Sequence, residues 1–319
     1  MENFCSYLIL GLMRLLSLLP LKVHYFLCRG LSLLAEYVFK YRREVLRTNL
    51  EHSFPEKSTE ELDDITHKFY RHFGDIIAEA IWFGKYRRRE VLRKKGICKF
   101  ENVEGHRRDY EDANGVMVLT SHCGNWEIMG GWYAYAPYGE LGYYEDAITV
   151  VYKSLTSRIW DLVMADNRLA PLIRTKFHGY VDSTKVLRHA LEHKNEKRVY
   201  VFPTDQYPYK NATKHEVDNF LGQTTLTMTG GAALARKLGM AVEYMSFECV
   251  SRGKYKARFE TICTDASELT PEEIMNRYYR LLEKDIKAQP WNYLWTHKRW
   301  KNLDYYPKKK AHNTSDNNK

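Results

Sequence analysis

The sequence predicts an α/β fold, a mostly parallel sheet flanked by helices on both faces, with an apolar helical anchor at the N-terminus. Two observations carry this. After Gly96, short apolar runs alternate with stretches of helical periodicity, the pattern of strands joined by helical crossovers. Before that point, the first forty residues are the most apolar part of a chain that is 44% apolar and 28% charged over 319 residues. That composition excludes a disordered chain, a collagen-like repeat and a polytopic membrane protein.

The anchor, residues 1–40, holds Tyr7 to Met13 and Leu15 to Leu19, interrupted by Arg14, Pro20 and Lys22. No uncharged run reaches the ~18 residues of a confident transmembrane span. Glu2 leads and Arg14 sits mid-run, so a cleaved signal peptide is not expected. The readings left are an interfacial or tilted anchor with Arg14 snorkelling to headgroups, or an amphipathic helix packed on the domain.

An α/β domain is expected over 41–306, helical and basic from 41 to 95 and sheet-bearing from 96 to 306, followed by a disordered polar tail over 307–319. Ser58 and Glu61 have the spacing of a capping box. Cations cluster at Lys40, Arg42, Arg43 and Arg47, and again from Lys85 to Lys95. Strands are predicted at Val116–Thr120, Ala147–Tyr152, Arg198–Phe202 and Val242–Phe247. Helices are predicted at Asn125–Tyr135, Ser157–Leu169, Ser183–His193, Thr227–Leu238 and Pro271–Lys287.

Lys plus Arg exceed Asp plus Glu by 49 minus 40, a net charge of +9 that favours an anionic partner. The 24 Tyr, 13 Phe and 7 Trp tilt that partner toward lipid, because amphipathic rings suit a water–lipid boundary. Nucleic acid is not expected, since the cations precede the sheet-bearing part instead of lining it. Six cysteines with no CxxC pair and no zinc spacing read as reduced thiols, and neither a metal nor a cofactor is implied.

The candidate chemistry lies in Ser121-His122-Cys123-Gly124-Asn125-Trp126-Glu127, directly after the first predicted strand. Ligands of α/β sheets bind beyond the carboxyl ends of the strands. His122 and Glu127 would stand ~140° apart on a continuous helix, so His122 is placed in the turn and Glu127 in the first turn of the next helix. There the carboxylate is expected to orient the imidazole as a general base. A second His-x4-acid pair, His106 to Glu111, lies in a charged stretch and reads as a solvated helix face. No G-x-S-x-G nucleophile turn exists, and Cys123 beside His122 is a weak candidate for a thiol nucleophile.

His122-Cys123-Gly124-Asn125-Trp126-Glu127 resembles the His-x4-Asp/Glu motif of glycerolipid-type acyltransferases, and Asn125-Trp126-Glu127 resembles the lipid A late acyltransferase family (lauroyl and myristoyl acyltransferases). Further colinear matches are Arg42-Arg43, Asn49-Leu50, Phe54-Pro55-Glu56, Val151-Tyr152-Lys153, Asp205-Gln206, Asn219 to Gly222 with Thr225 and Gly230, and Trp295 to Lys301. Lys153 stands where the family often has Arg, and Ala232-Ala233 where a Glu is frequent. The resemblance implies transfer of a fatty acyl chain from acyl carrier protein to a hydroxyl of a lipid A precursor, at the cytoplasmic face of the inner membrane. It implies His122 and Glu127 as catalytic residues, with Asn125, Trp126, Lys153, Asp205 and Gln206 binding substrate, and Arg168 on the predicted helix Ser157–Leu169 is expected to line the same crevice. The alternatives are a related N- or O-acyltransferase acting on another lipid or amino-lipid, and a non-enzymatic basic peripheral membrane protein.

Overall fold

The computed structural model describes residues 2–137, 139–175 and 177–306; the tail expected over 307–319 lies outside the described residues. In chain order, the helical part comprises α1 (Glu2–Ser17), α2 (Leu21–Leu33) with a π-helical turn at Leu34–Val38, α3 (Arg43–Ser53), α4 (Thr59–Phe83) and α5 (Arg89–Arg93). The sheet-bearing part begins with β1 (Cys98–Glu101), α6 (Val103–Asp112) and β2 (Gly115–Thr120), then a 3-10 turn at Trp126–Gly131 leading into α7 (Trp132–Tyr135). It continues with β3 (Ile148–Tyr152), α8 (Arg158–Arg168), β4 (Tyr180–Asp182), α9 (Val186–Glu192) and β5 (Arg198–Pro203). The last elements are the hairpin β6 (Lys214–Phe220) and β7 (Gln223–Met228), then α10 (Gly230–Leu238), β8 (Ala241–Ser251), β9 (Lys254–Cys263) and α11 (Pro271–Ala288).

Among the described residues, seven strands form one sheet in the order β1-β9-β8-β2-β5-β3-β4, and β8–β9 is its antiparallel pairing there. β2 is buried along its whole length, as a central parallel strand covered on both faces must be. The four predicted strands are present. β9 carries a period-two pattern, Tyr255, Ala257 and Phe259 buried and Lys254, Lys256 and Arg258 directed outward, that the charged composition of the segment hides. β1 and β4, four and three residues long, are too short for periodicity to reveal. Three helices are shorter than predicted: Asn125–Tyr135 is a 3-10 turn and one α-turn, Ser183–His193 is helical only over Val186–Glu192, and Thr227-Met228 complete β7 before α10 begins. The capping box of Ser58 and Glu61 opens α4.

His106 corrects the reading of α6. Arg107 and Glu111 pair on its outer surface, but His106 is fully buried, its Nδ1 2.6 Å from Glu243 and its Nε2 2.7 Å from the Tyr143 hydroxyl, with its ring stacked on Phe259. Its environment is a core hydrogen-bond network.

α1 and α2 form a pair bent by 120°, and no single described helix is long and apolar enough to cross a bilayer. α2 packs on α4 through His24, Cys28 and Ser32, while Tyr7, Leu8, Leu12, Leu15, Phe26, Leu27 and Leu31 stand exposed. Arg14, half exposed, donates to Asp166 of α8 at 3.0 Å, and Asp166 also accepts from Arg87. Nor is the first cationic cluster all free surface, because Arg47 pairs with Glu51 and Asp63 while Arg42 donates to the Thr296 carbonyl.

After α11, residues 290–306 run as a strap beneath the strand ends. Asn49 of α3 donates to the carbonyls of Trp295 and His297 at 2.7 and 2.9 Å and accepts from Tyr306. The Trp300 indole donates to Thr225, and Arg299 to Tyr279 and the Leu226 carbonyl. The Tyr207 amide donates to Nε2 of His297 at 3.1 Å.

Asn49→Ala strands two carbonyls in the interior and is expected to lower the unfolding free energy by about 3 kcal/mol in urea titrations. His297 gives a pH dependence of definite sign. Burial pushes its pKa from 6.5 down to about 4, and protonating Nε2 would also break the bond from Tyr207. The unfolded chain therefore binds this proton first, so the contribution is present above pH 6.5 and is lost as pH falls toward 4, about 3 kcal/mol in all. His297→Gln keeps an acceptor without a titration, and its stability should fall less steeply across that window.

Candidate active site

Register places the two central side chains. β2 and β5 are adjacent and parallel, with Thr120 opposite Pro203, and the Thr204 amide extends the ladder to the Thr120 carbonyl. Two residues beyond each strand end stand His122 and Asp205, and His122 Nδ1 lies 2.7 Å from Asp205 Oδ1. Asp205 is 1% exposed. Burial alone would raise its pKa, but the His122 ring and the backbone amides of His122 and Asp205 bring it below the ordinary carboxylate value. An ionised Asp205 requires a donor at Nδ1, which leaves the lone pair of His122 on Nε2, where the Gln206 amide donates at 3.2 Å.

The turn bearing His122 is braced from below. Tyr278 and Tyr279 of α11 donate to the carbonyls of Thr120 and Thr204, and Tyr293 of the strap donates to that of Asp205. Gly124 has φ +64°, and a Cβ there would lie 2.4 Å from the Phe247 ring. Its amide donates to the Asn292 side chain at 3.0 Å. Only glycine meets both constraints.

Glu127 does not hold the imidazole. Its carboxylate receives a two-pronged pair from Arg168, Nε to Oε2 at 2.7 Å and Nη2 to Oε1 at 2.8 Å, together with the Trp126 indole at 3.0 Å. Asp205 occupies the position that spacing assigned to Glu127. Burial works against the Arg168 charge, but the Glu127 pair lifts its pKa above the ordinary guanidinium value. Gly130 makes the pairing possible, since a Cβ there would overlap the Arg168 carbonyl, so the 3-10 turn and the end of α8 touch backbone to backbone. The remaining Arg168 nitrogen donates to Tyr180, and the Trp126 ring sits edge-on to His122 at 5.2 Å.

His122, Trp126, Lys153, Arg168 and Gln206 line one cavity of about 430 Å³, with Asp205 behind His122. Lys153 stands with its ammonium 3.9 Å from the Tyr209 ring centroid. Asn125, expected among the substrate contacts, is fully buried instead: its amide donates to Glu79 of α4 and its carbonyl oxygen accepts from the Glu127 amide. Away from His122 the cavity is mainly apolar and follows β3 back to Ile148, past Val150, Leu169, Leu172 and Phe177, with Glu145, ion-paired with Arg89, also on its wall. From Lys153 to Ile148 that is roughly 15 Å at the rise of a strand. The Cys123 thiol is buried and its pKa is pushed up by that burial, which keeps it neutral.

Spacing within one segment found His122, Trp126 and Glu127. The pairing of His122 with Asp205 depends on strand adjacency, for which the signal was two apolar runs each followed by Ser/Thr and then the functional residue. Glu79 gave no signal in sequence.

A family model described as bacterial lipid A biosynthesis acyltransferase matches residues 1–302. A lipid A biosynthesis palmitoleoyltransferase of Escherichia coli (strain K12) is 24% identical over 303 residues, covering 92% of this chain and 89% of that protein. A lipid A biosynthesis acyltransferase of Shigella flexneri matches at the same identity and coverage. The match takes in the exposed N-terminal helices, the sheet and the His122 cavity together, and on that basis the chain belongs to the bacterial lipid A biosynthesis acyltransferase family.

Proposed function

We propose that this acyltransferase moves a fatty acyl chain from acyl carrier protein to a hydroxyl of a lipid A precursor, at the cytoplasmic face of the inner membrane, with His122 as general base. The observation that carries this reading is the His122–Asp205 pair at the polar end of an apolar cavity. The acyl chain lies along β3 and its thioester carbonyl stands at His122. Nε2 takes the proton of the acceptor hydroxyl as its oxygen attacks that carbonyl, and Asp205 stabilises the imidazolium that forms. Collapse of the tetrahedral intermediate breaks the carbon–sulfur bond, and the imidazolium returns its proton to the departing thiolate, leaving an ester and a free thiol. Gln206 gives up its bond to Nε2 when the hydroxyl arrives.

Arg168, locked by Glu127, and Lys153 are the cations that meet substrate phosphate. Lys153 does so as a point charge and not as a fork. The exposed apolar faces of α1 and α2 lie against the lipid surface, and Lys85, Arg88, Lys94 and Lys95 support the contact by attraction to anionic headgroups at ~1 kcal/mol per cation, while Arg87 and Arg89 are engaged by Asp166 and Glu145.

The direct test follows labelled acyl groups from acyl carrier protein to a lipid A precursor. His122→Ala should lower turnover ~100-fold or more at unchanged melting temperature, and Asp205→Asn should follow it. His106→Ala should do the reverse, destabilising the fold while the folded fraction keeps its turnover. Near-wild-type transfer by a folded His122→Ala protein would remove the base assignment.

Membrane association should resist salt, because burial of Leu8, Leu12 and Leu15 is indifferent to ionic strength whereas headgroup attraction is screened over ~3 Å at 1 M. Membranes washed in high salt should retain the protein and detergent should release it. Quantitative release by salt alone would leave only the electrostatic contact.

A further inference from the structure

Glu79 is 2% exposed in α4, and each of its partners is a neutral donor. Tyr25 of α2 donates to Oε1 at 2.7 Å, while Asn125 Nδ2 and the Tyr255 hydroxyl donate to Oε2 at 2.8 and 2.6 Å. The nearby guanidinium of Arg252 is engaged by Asp75. Burial pushes the Glu79 pKa above the ordinary carboxylate value while its three donors work to hold it down. A carboxylate buried without a paired cation is a costly way to fill space that an apolar side chain or an amide would fill with a smaller penalty.

What a carboxylate supplies, and an amide does not, is acceptors only. An asparagine side chain can be turned over by 180° with little change of shape, and the groups around it decide which end points where. Facing Glu79, Asn125 must present its NH2, so its oxygen faces the Glu127 amide, which it accepts at 3.2 Å. That bond starts the 3-10 turn at Trp126, which puts the Trp126 ring against His122 and the Glu127 carboxylate onto Arg168.

We infer that Glu79 is a positioning residue for the acyl transfer, setting the orientation of Asn125 and through it the placement of Trp126 and Glu127 beside His122. The inference rests on the acyltransfer reading above, and it gives this carboxylate a task although it touches no substrate.

The experiment is a suppressor test on the full-length enzyme, with kcat, KM and melting temperature measured for each variant. Asn125→Asp sets carboxylate against carboxylate and should lower kcat ten- to a hundred-fold, the scale of a small misplacement of reacting groups, with KM within about threefold. Glu79→Gln should cost several-fold. When Glu79→Gln and Asn125→Asp are combined, the new amide at position 79 can donate to the new carboxylate at position 125, whose other oxygen still accepts the Glu127 amide. In that double variant kcat should recover at least ten-fold over Asn125→Asp alone. Tyr244→Phe removes a buried hydroxyl bonded to Asp285 at 2.7 Å and serves as the stability control: it should lower the melting temperature while leaving kcat unchanged. Transfer by the wild type together with no recovery in the folded double variant overturns the positioning role alone. No transfer by the wild type overturns the acyltransfer reading and the role with it.

Discussion

The parallel pairing of β2 with β5 is the constraint on which the site depends. Because Thr120 and Pro203 are directly opposed, two turns of equal length deliver His122 and Asp205 to the same depth and the same side of the sheet. A slip of one residue would send one of the two side chains to the other face. The bracing by Tyr278, Tyr279 and Tyr293 serves this register, since each hydroxyl bonds a carbonyl at the strand ends or just beyond them.

The motifs that mark the family in sequence separate physically into two groups. His122, Trp126 and Glu127 face the cavity or hold what faces it. Arg42, Asn49 and Thr225 hold the strap that carries the Trp295 to Lys301 segment, their side chains bonding its backbone carbonyls and the Trp300 indole. Their hydrogen bonds fasten residues 290–306 to α3 and β7 and hold His297 against Tyr207, next in sequence to Gln206. Such residues are as demanding as catalytic ones because an unpaired buried polar group is costly.

Local periodicity made the central strands legible, since a strand buried on both faces leaves an unmistakable apolar run, as Val116 to Thr120 does. It failed for β9 because alternating Lys and Arg on one face resemble a solvated segment until the buried Tyr255, Ala257 and Phe259 are counted separately. His122 was legible from its place after a strand. Its partner was misassigned because Glu127 is close in sequence, whereas Asp205, 83 residues away, is close only through the sheet. His106 was misread for the opposite reason: its charged neighbours are solvated, but the helix turns its ring toward Glu243.

The cavity's course along β3 has a consequence for how such an enzyme can diverge. In the proposed reaction the strand itself is the yardstick for the fatty chain, from Lys153 at the mouth to Ile148 at the far end. A one-residue insertion or deletion within β3 would send the side chains beyond it to the opposite face, so that yardstick is not adjustable in small steps from inside the strand. Fine adjustment is left to the bulk of side chains at positions such as Ile148 and Val150, where one methylene more or less moves the floor while the register that joins His122 to Asp205 stays untouched. In the proposed reaction, chain length and the placement of His122 against Asp205 would thus rest on neighbouring strands of one sheet and would be free to change independently.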